Sequence, residues 1–150
     1  MARKNLLAKN LLAMQKYYPK EFQFFPKTWL LPGDMKSFKD QFNIRKAKTF
    51  IIKPEASCQG KGIFLTRNFD WFNPAEHYVA QRYLHKPFLI DGLKFDLRVY
   101  VNITSVNPLR IFIYKEGLAR FATSEYNSPV GSNLNNLFMH LTNYAINKDA

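Results

Sequence analysis

The segment Leu93-Lys94-Phe95-Asp96-Leu97-Arg98-Val99-Tyr100-Val101 constrains the fold more than any other stretch of this chain. Every second residue is apolar, and between them stand Lys94, Asp96, Arg98 and Tyr100. Period two is the signature of a β-strand with one apolar and one polar face, so Lys94, Asp96 and Arg98 are predicted to share a face. Such a row suits a nucleotide: Lys and Arg neutralise phosphoryl oxygens, and a carboxylate accepts from a ribose hydroxyl or holds a hydrated metal. It suits a solvated strand face closed by a local ion pair equally well, and the alternation does not choose.

Leu109 to Tyr114 and Leu118 to Thr123 extend this strand into a predicted antiparallel meander, with turns at Asn107-Pro108 and Glu116-Gly117. Upstream, Phe50-Ile51-Ile52 and Ile63-Phe64-Leu65 read as two short strands around a loop from Pro54 to Gly62, and Tyr78 to Leu84 is a further apolar segment. At the front, Leu6, Leu7, Asn10, Leu11 and Met14 recur at helical spacing from about Arg3 to Tyr17, with Lys9 and Lys16 off that stripe and Pro19 beyond it. Phe22 to Pro32 reads as an extended connector with a short strand, and Gly33-Asp34 opens a shorter helix toward Phe42. The expected class is α+β, largely antiparallel sheet with flanking helices.

The loop Pro54-Glu55-Ala56-Ser57-Cys58-Gln59-Gly60-Lys61-Gly62 sets two glycines around a lysine, a composition that lets backbone N–H groups fold over phosphate oxygens. It is neither a Walker loop, because no Gly-Lys-Ser/Thr follows, nor the dinucleotide fingerprint, because a third glycine and a helix are missing. An ordinary glycine-containing hairpin has the same spacing. Lys53, at the end of the preceding strand, adds to the phosphate reading, since its ammonium can reach an anion beneath the loop. Arg120 and the run His140-Leu141-Thr142-Asn143-Tyr144 add polar groups beside the meander, and a guanidinium grips a carboxylate with two parallel hydrogen bonds. His77, His85 and His140 lack metal-ligand spacing and no CxxC accompanies them, so no zinc site is expected. One cysteine and no Gly-x-Ser-x-Gly elbow leave covalent acyl catalysis with little support.

Charge narrows the partners without naming one. Lys and Arg number 22 against 11 Asp and Glu, a net charge of +11, with the excess concentrated in the first third of the chain. Nucleic acid, an anionic membrane, a nucleotide phosphate and an acidic polypeptide satisfy that field equally. Nucleic acid ranks low because the Phe residues sit in apolar runs and no stacking platform is recognisable. The sequence has neither an apolar stretch of bilayer-spanning length nor a secretion signal, so no membrane partner is expected. The single Cys58 allows no internal disulfide and fits a reducing compartment, with the cytosol as default.

Read together, IIKPEASCQGKGIF, QRYL, KFDLRVYV, EGLARFATSEY and MHLTNYAINK resemble, in order and spacing, the tubulin tyrosine ligase-like family, and FFPKTWLLP resembles its approach to the catalytic domain. The resemblance covers nearly the whole chain and implies an ATP-grasp fold, with residues 1–150 a partial catalytic domain: the central subdomain and the start of the C-terminal one. It implies that Lys53 and the Gln59-Gly60 loop contact ATP phosphates, that Gln81, Arg82, Tyr83 and Leu84 line the adenine pocket, and that Lys94 and Asp96 face the nucleotide. By the same resemblance Arg98 neutralises the transferring phosphoryl group, Arg120 holds the incoming amino acid, and Thr142, Asn143 and Tyr144 lie beside nucleotide and substrate. The implied reaction activates an acceptor γ-carboxylate as an acyl phosphate, which the amine of free L-glutamate attacks to form an isopeptide bond. The Cys-Gln-Gly-Lys-Gly loop and the Arg of Gly-Leu-Ala-Arg-Phe resemble the glutamate-adding branch, whose partner would be the acidic C-terminal tails of tubulin. A monomeric enzyme of the cytoplasm and cytoskeleton, including cilia and basal bodies, is implied.

Two departures qualify the resemblance. Ala145 stands where related enzymes often carry Ser, which removes a hydroxyl. The family's later Asp and Glu-x-Asn, which hold Mg²⁺, have no counterpart here, so the metal ligands are expected beyond residue 150 and these residues alone are not expected to catalyse ligation. The competing expectation is a catalytically inactive basic module that binds microtubules or another polyanion.

Overall fold

The computed structural model describes residues 3–43, 48–55, 57 and 60–148. They form two compact units, Met1–Lys86 with Ser128–Asn136, and Pro87–Asn127 with Leu137–Ala150. No helix among the described residues is long and apolar enough to cross a membrane.

The first unit contains α1 (Lys4–Tyr17), β1 (Thr28–Leu31), α2 (Met35–Lys39), β2 (Phe50–Pro54), β3 (Phe64–Thr66) and β4 (Tyr78–Arg82). Its four strands lie in the order β1-β4-β2-β3, every pair antiparallel. Register sorts the side chains by face. Trp29 pairs with Ala80 and Ala80 with Ile52, and these residues join Leu31, Phe38, Phe50 and Tyr78 in the buried core. Phe42, Phe64, Phe69, Trp71 and Phe72 pack around them, with ring centroids 5.1 to 5.9 Å apart in pairs such as Phe38–Phe50 and Phe38–Phe69. The aromatic-rich connector and the helix toward Phe42 therefore serve one apolar cluster. The opposite face carries Thr28, Gln81 and Ile51 in one row and Leu30, Val79 and Lys53 in the next.

The first helix covers the predicted span, but its inner face is rotated from the predicted stripe. Leu6, Leu7 and Met14 are exposed, and Ala8 is the buried residue, in line with half-buried Lys4, Leu11 and Gln15. Polar residues turn inward because they hold neighbouring loops: Gln15 Nε2 donates to the carbonyls of Phe22 at 2.8 Å and Phe25 at 3.0 Å. Hydrogen bonding, not the leucine count, orients this helix.

The second unit contains β5 (Leu89–Ile90), β6 (Leu93–Val106), β7 (Leu109–Phe121), α3 (Leu137–His140) and α4 (Tyr144–Asn147), with strand order β5-β6-β7. Asp91 and Gly92 have φ of 49° and 75°, the left-handed pair of a two-residue hairpin turn, and Asp-Gly is the sequence signal for it. The turn at Asn107-Pro108 is present, with Val106 opposite Leu109. The expected turn at Glu116-Gly117 is absent. Residues 109–121 form one strand, so the meander has one strand fewer than predicted. Gly117 serves a different end: it lies opposite Val99, and a Cβ there would sit 2.6 Å from the Arg98 carbonyl oxygen. The glycine permits close strand approach beside the register shift between Val99 and Val101.

Candidate functional site

In the first unit, Lys53 and Gln81 meet. Val79 lies opposite Lys53 and Ile51 opposite Gln81, so the two are diagonal neighbours on one sheet face, and Lys53 Nζ donates to Gln81 Oε1 at 2.8 Å. Gln81 Nε2 then donates to Thr28 Oγ1 at 2.8 Å, which donates to the Pro26 carbonyl at 2.7 Å. This chain of bonds crosses β2, β4 and β1 and fixes the amide orientation of Gln81. Lys53 is pushed below the ordinary lysine range, first by loss of water and second by the charge of Lys4. Two ammonium groups near one loop make a setting that an anion relieves.

Lys4 itself was not foreseen. Its Nζ donates to the Pro54 carbonyl at 3.0 Å, to Ser57 Oγ at 3.1 Å and to the Ser57 carbonyl, while Asn5 Nδ2 bonds Glu55 Oε1. The start of α1 thus fastens the loop that follows β2. No sequence signal joins residues 50 positions apart, although a lysine and an asparagine in a helix's first turn carry the donors that the role needs. Gly60 is buried with φ of 88° and Gly62 has φ of 66°, the left-handed backbone that makes glycine the favoured residue at both. Gln59 lies outside the described residues.

Beyond Gln81 the predicted adenine-pocket residues part company. Arg82 stands on the opposite face of β4, its guanidinium 5.7 Å from the Phe50 ring centroid. Its backbone N–H donates to the Lys27 carbonyl at 2.8 Å, and that of Tyr83 to the Thr49 carbonyl at 3.0 Å. Tyr83 is buried and Leu84 exposed.

In the second unit, Lys94, Asp96 and Arg98 alternate along β6 as predicted and share one strand face. Lys94 Nζ donates to the His140 carbonyl at 2.6 Å, which ties the strand to α3. Asp96 lies directly across the ladder from Arg120, and the guanidinium binds both carboxylate oxygens, through Nε at 2.8 Å and through Nη2. The hydrogen bond that Arg120 donates to Asp96 raises the Arg120 pKa above its ordinary value. The local ion pair, one of the two readings of the alternation, is therefore present. Arg98 is exposed, opposite Leu118. Thr142 is buried, Asn143 opens α4 with its carbonyl accepting from Ile146 and Asn147, and the Tyr144 side chain is exposed.

The family model described as the tubulin-tyrosine ligase family matches residues 1–150. The chain belongs to the tubulin-tyrosine ligase family. Among its relatives, it is 58% identical over 151 residues to a probable beta-tubulin polyglutamylase of Tetrahymena thermophila, with 99% of this chain and 13% of the relative covered. It is 58% identical over 148 residues to the human tubulin polyglutamylase TTLL13, with 99% and 18% covered. The chain thus spans less than a fifth of the length of these curated family members. Among solved structures, the C-terminal domain of K. lactis Pby1, described as an ATP-grasp enzyme interacting with the mRNA decapping enzyme Dcp2, superposes with a TM-score of 0.59 at 22% identity. The match covers 99% of this chain and 49% of that one, so this member of the tubulin-tyrosine ligase family has part of an ATP-grasp fold.

Proposed function

We propose that this chain is the central subdomain and the start of the C-terminal subdomain of an ATP-dependent ligase that joins L-glutamate to glutamate side chains on tubulin tails. The observation that carries the reading is the desolvated Lys53 ammonium held on Gln81, with Lys4 adding a second positive charge beside the Pro54–Gly62 loop. A half-buried cation whose proton is disfavoured gains from a phosphate. Relatives named tubulin polyglutamylases support the choice of glutamate and tubulin.

In this reading Lys53 and the Gln59-Gly60 loop hold phosphate oxygens. Gln81 with the backbone of Arg82, Tyr83 and Leu84 borders adenine, the Arg82 side chain being on the other face. Lys94 and Asp96 face the nucleotide beside Thr142 and Asn143. ATP supplies the phosphoryl group that activates the acceptor γ-carboxylate. Arg98 neutralises charge as that group moves, and Arg120 with Tyr144 positions the incoming glutamate, whose amine displaces phosphate through a tetrahedral intermediate. Mg²⁺ would be held by carboxylates beyond residue 150; among the described residues no three His, Cys, Asp or Glu side chains converge. The +11 charge would steer acidic tails to the enzyme, in the cytoplasm and on the cytoskeleton.

Titration of a fluorescent ATP analogue into this chain tests the nucleotide half: saturable binding is expected, weakened about tenfold by Lys53→Gln. Mass spectrometry of tubulin tails incubated with full-length protein, ATP and glutamate, glycine or tyrosine tests the rest. Addition of glycine or tyrosine in place of glutamate refutes the donor, and tail binding unaffected by ATP with no addition points to a basic binding module.

A further inference from the structure

Three strand ends of the first unit meet around one cavity. Thr49 leads into β2, Arg67 follows β3, and Arg82 closes β4; Tyr83, His85, Ser128 and Pro129 complete the wall of a cavity of ≈ 90 Å³. That volume admits a carboxylate or a phosphate group and not a nucleoside. Arg67 is anchored there, its Nε donating to Thr49 Oγ1 at 2.9 Å and its Nη2 to the Pro129 carbonyl.

Arg82 is held differently. Its guanidinium lies over the Phe50 ring, and its Nη1 is buried with no hydrogen-bond partner. A buried N–H of a charged group left without an acceptor costs free energy. No carboxylate among the described residues lines the cavity, so two guanidinium groups share it uncompensated. Burial, and after it the charge of Arg67, lower the Arg82 pKa, as expected for a cation that lacks a counter-ion.

We propose that this pocket binds a single oxyanion group, a carboxylate or a phosphate, between Arg82 and Arg67. The planar fork of Arg82 supplies the donor that has no acceptor, and Arg67 and the Ser128 hydroxyl supply further donors. Arg82 and Tyr83 belong to the segment whose backbone borders adenine in the nucleotide reading, but the Arg82 side chain lies on the face of β4 opposite Gln81, and neither Lys53 nor Gln81 lines the cavity.

The test follows the Arg82 Nε–H resonance while inorganic phosphate, and separately a triglutamate peptide, is added to this chain. Saturable shifts with at least one probe are expected, weakened about tenfold in Arg67→Gln and unchanged in Arg110→Gln, which removes an equal charge from the second unit. Calorimetry on Arg82→Lys, which keeps the charge and loses the fork, is expected to give similarly weakened binding. Shifts with phosphate alone or with the peptide alone each support the site and name the source of the oxyanion. No saturable shift with either probe, or binding insensitive to Arg67→Gln and Arg82→Lys, overturns it.

Discussion

The Arg120 guanidinium sits fork to fork on the Asp96 carboxylate, directly across the β6–β7 ladder. The two groups answer each other before any ligand arrives, so a substrate carboxylate that recruits Arg120 must compete with Asp96 or extend the pair. Their side chains are 26% and 41% exposed, which places the pair in the solvent-screened regime. A double-mutant cycle of Asp96→Asn and Arg120→Gln, read by urea unfolding, is expected to give a coupling of about 0.5–1 kcal/mol. Coupling indistinguishable from zero would remove the pair from any account of this strand.

Lys53 predicts a pH dependence of definite sign. Its folded pKa lies below the ordinary value of about 10.5. Below the folded pKa both states carry the proton and the cost of the partly desolvated charge is fully present. As pH rises from there toward the unfolded value, the folded state releases its proton first, and stability increases. An anion at Lys53 restores the proton, so nucleotide binding within that window is expected to take up protons. Calorimetry in two buffers of different ionisation enthalpy measures the uptake, and equal heats in both, or uptake undiminished in Lys53→Met, contradict it.

Gly117→Ala brings a Cβ to 2.6 Å from the Arg98 carbonyl oxygen, backbone against backbone. A cost of about 1–3 kcal/mol is expected in the unfolding of the second unit. Gly131→Ala, whose Cβ meets nothing within 4 Å, should change stability by less than about 0.5 kcal/mol. If the two variants melt alike, the close approach at Gly117 is not what that residue is for.

Phe38 is fully buried at the centre of the aromatic cluster, touching Trp29, Phe42, Phe50 and Phe69. Phe38→Ala is expected to cost about 3–5 kcal/mol, enough to unfold a marginal domain. Phe24→Ala, at a ring that is 70% exposed, serves as the control and should leave the melting temperature nearly unchanged.

What the sequence determined by itself was local. Alternation from Leu93 to Val101 put Lys94, Asp96 and Arg98 on one strand face, the glycines at 60 and 62 marked a turn, and the span of α1 was readable from helical spacing. Each depends on the dihedral preferences of a few consecutive residues. The helix's inner face, the purpose of Gly117, the Lys53–Gln81 contact, the fastening of the loop by Lys4 and the isolation of Arg82 were decided by the tertiary structure. Strand register and helix rotation are set by contacts between residues tens of positions apart, and a shift of one residue exchanges the faces of a sheet, so no local pattern contains them.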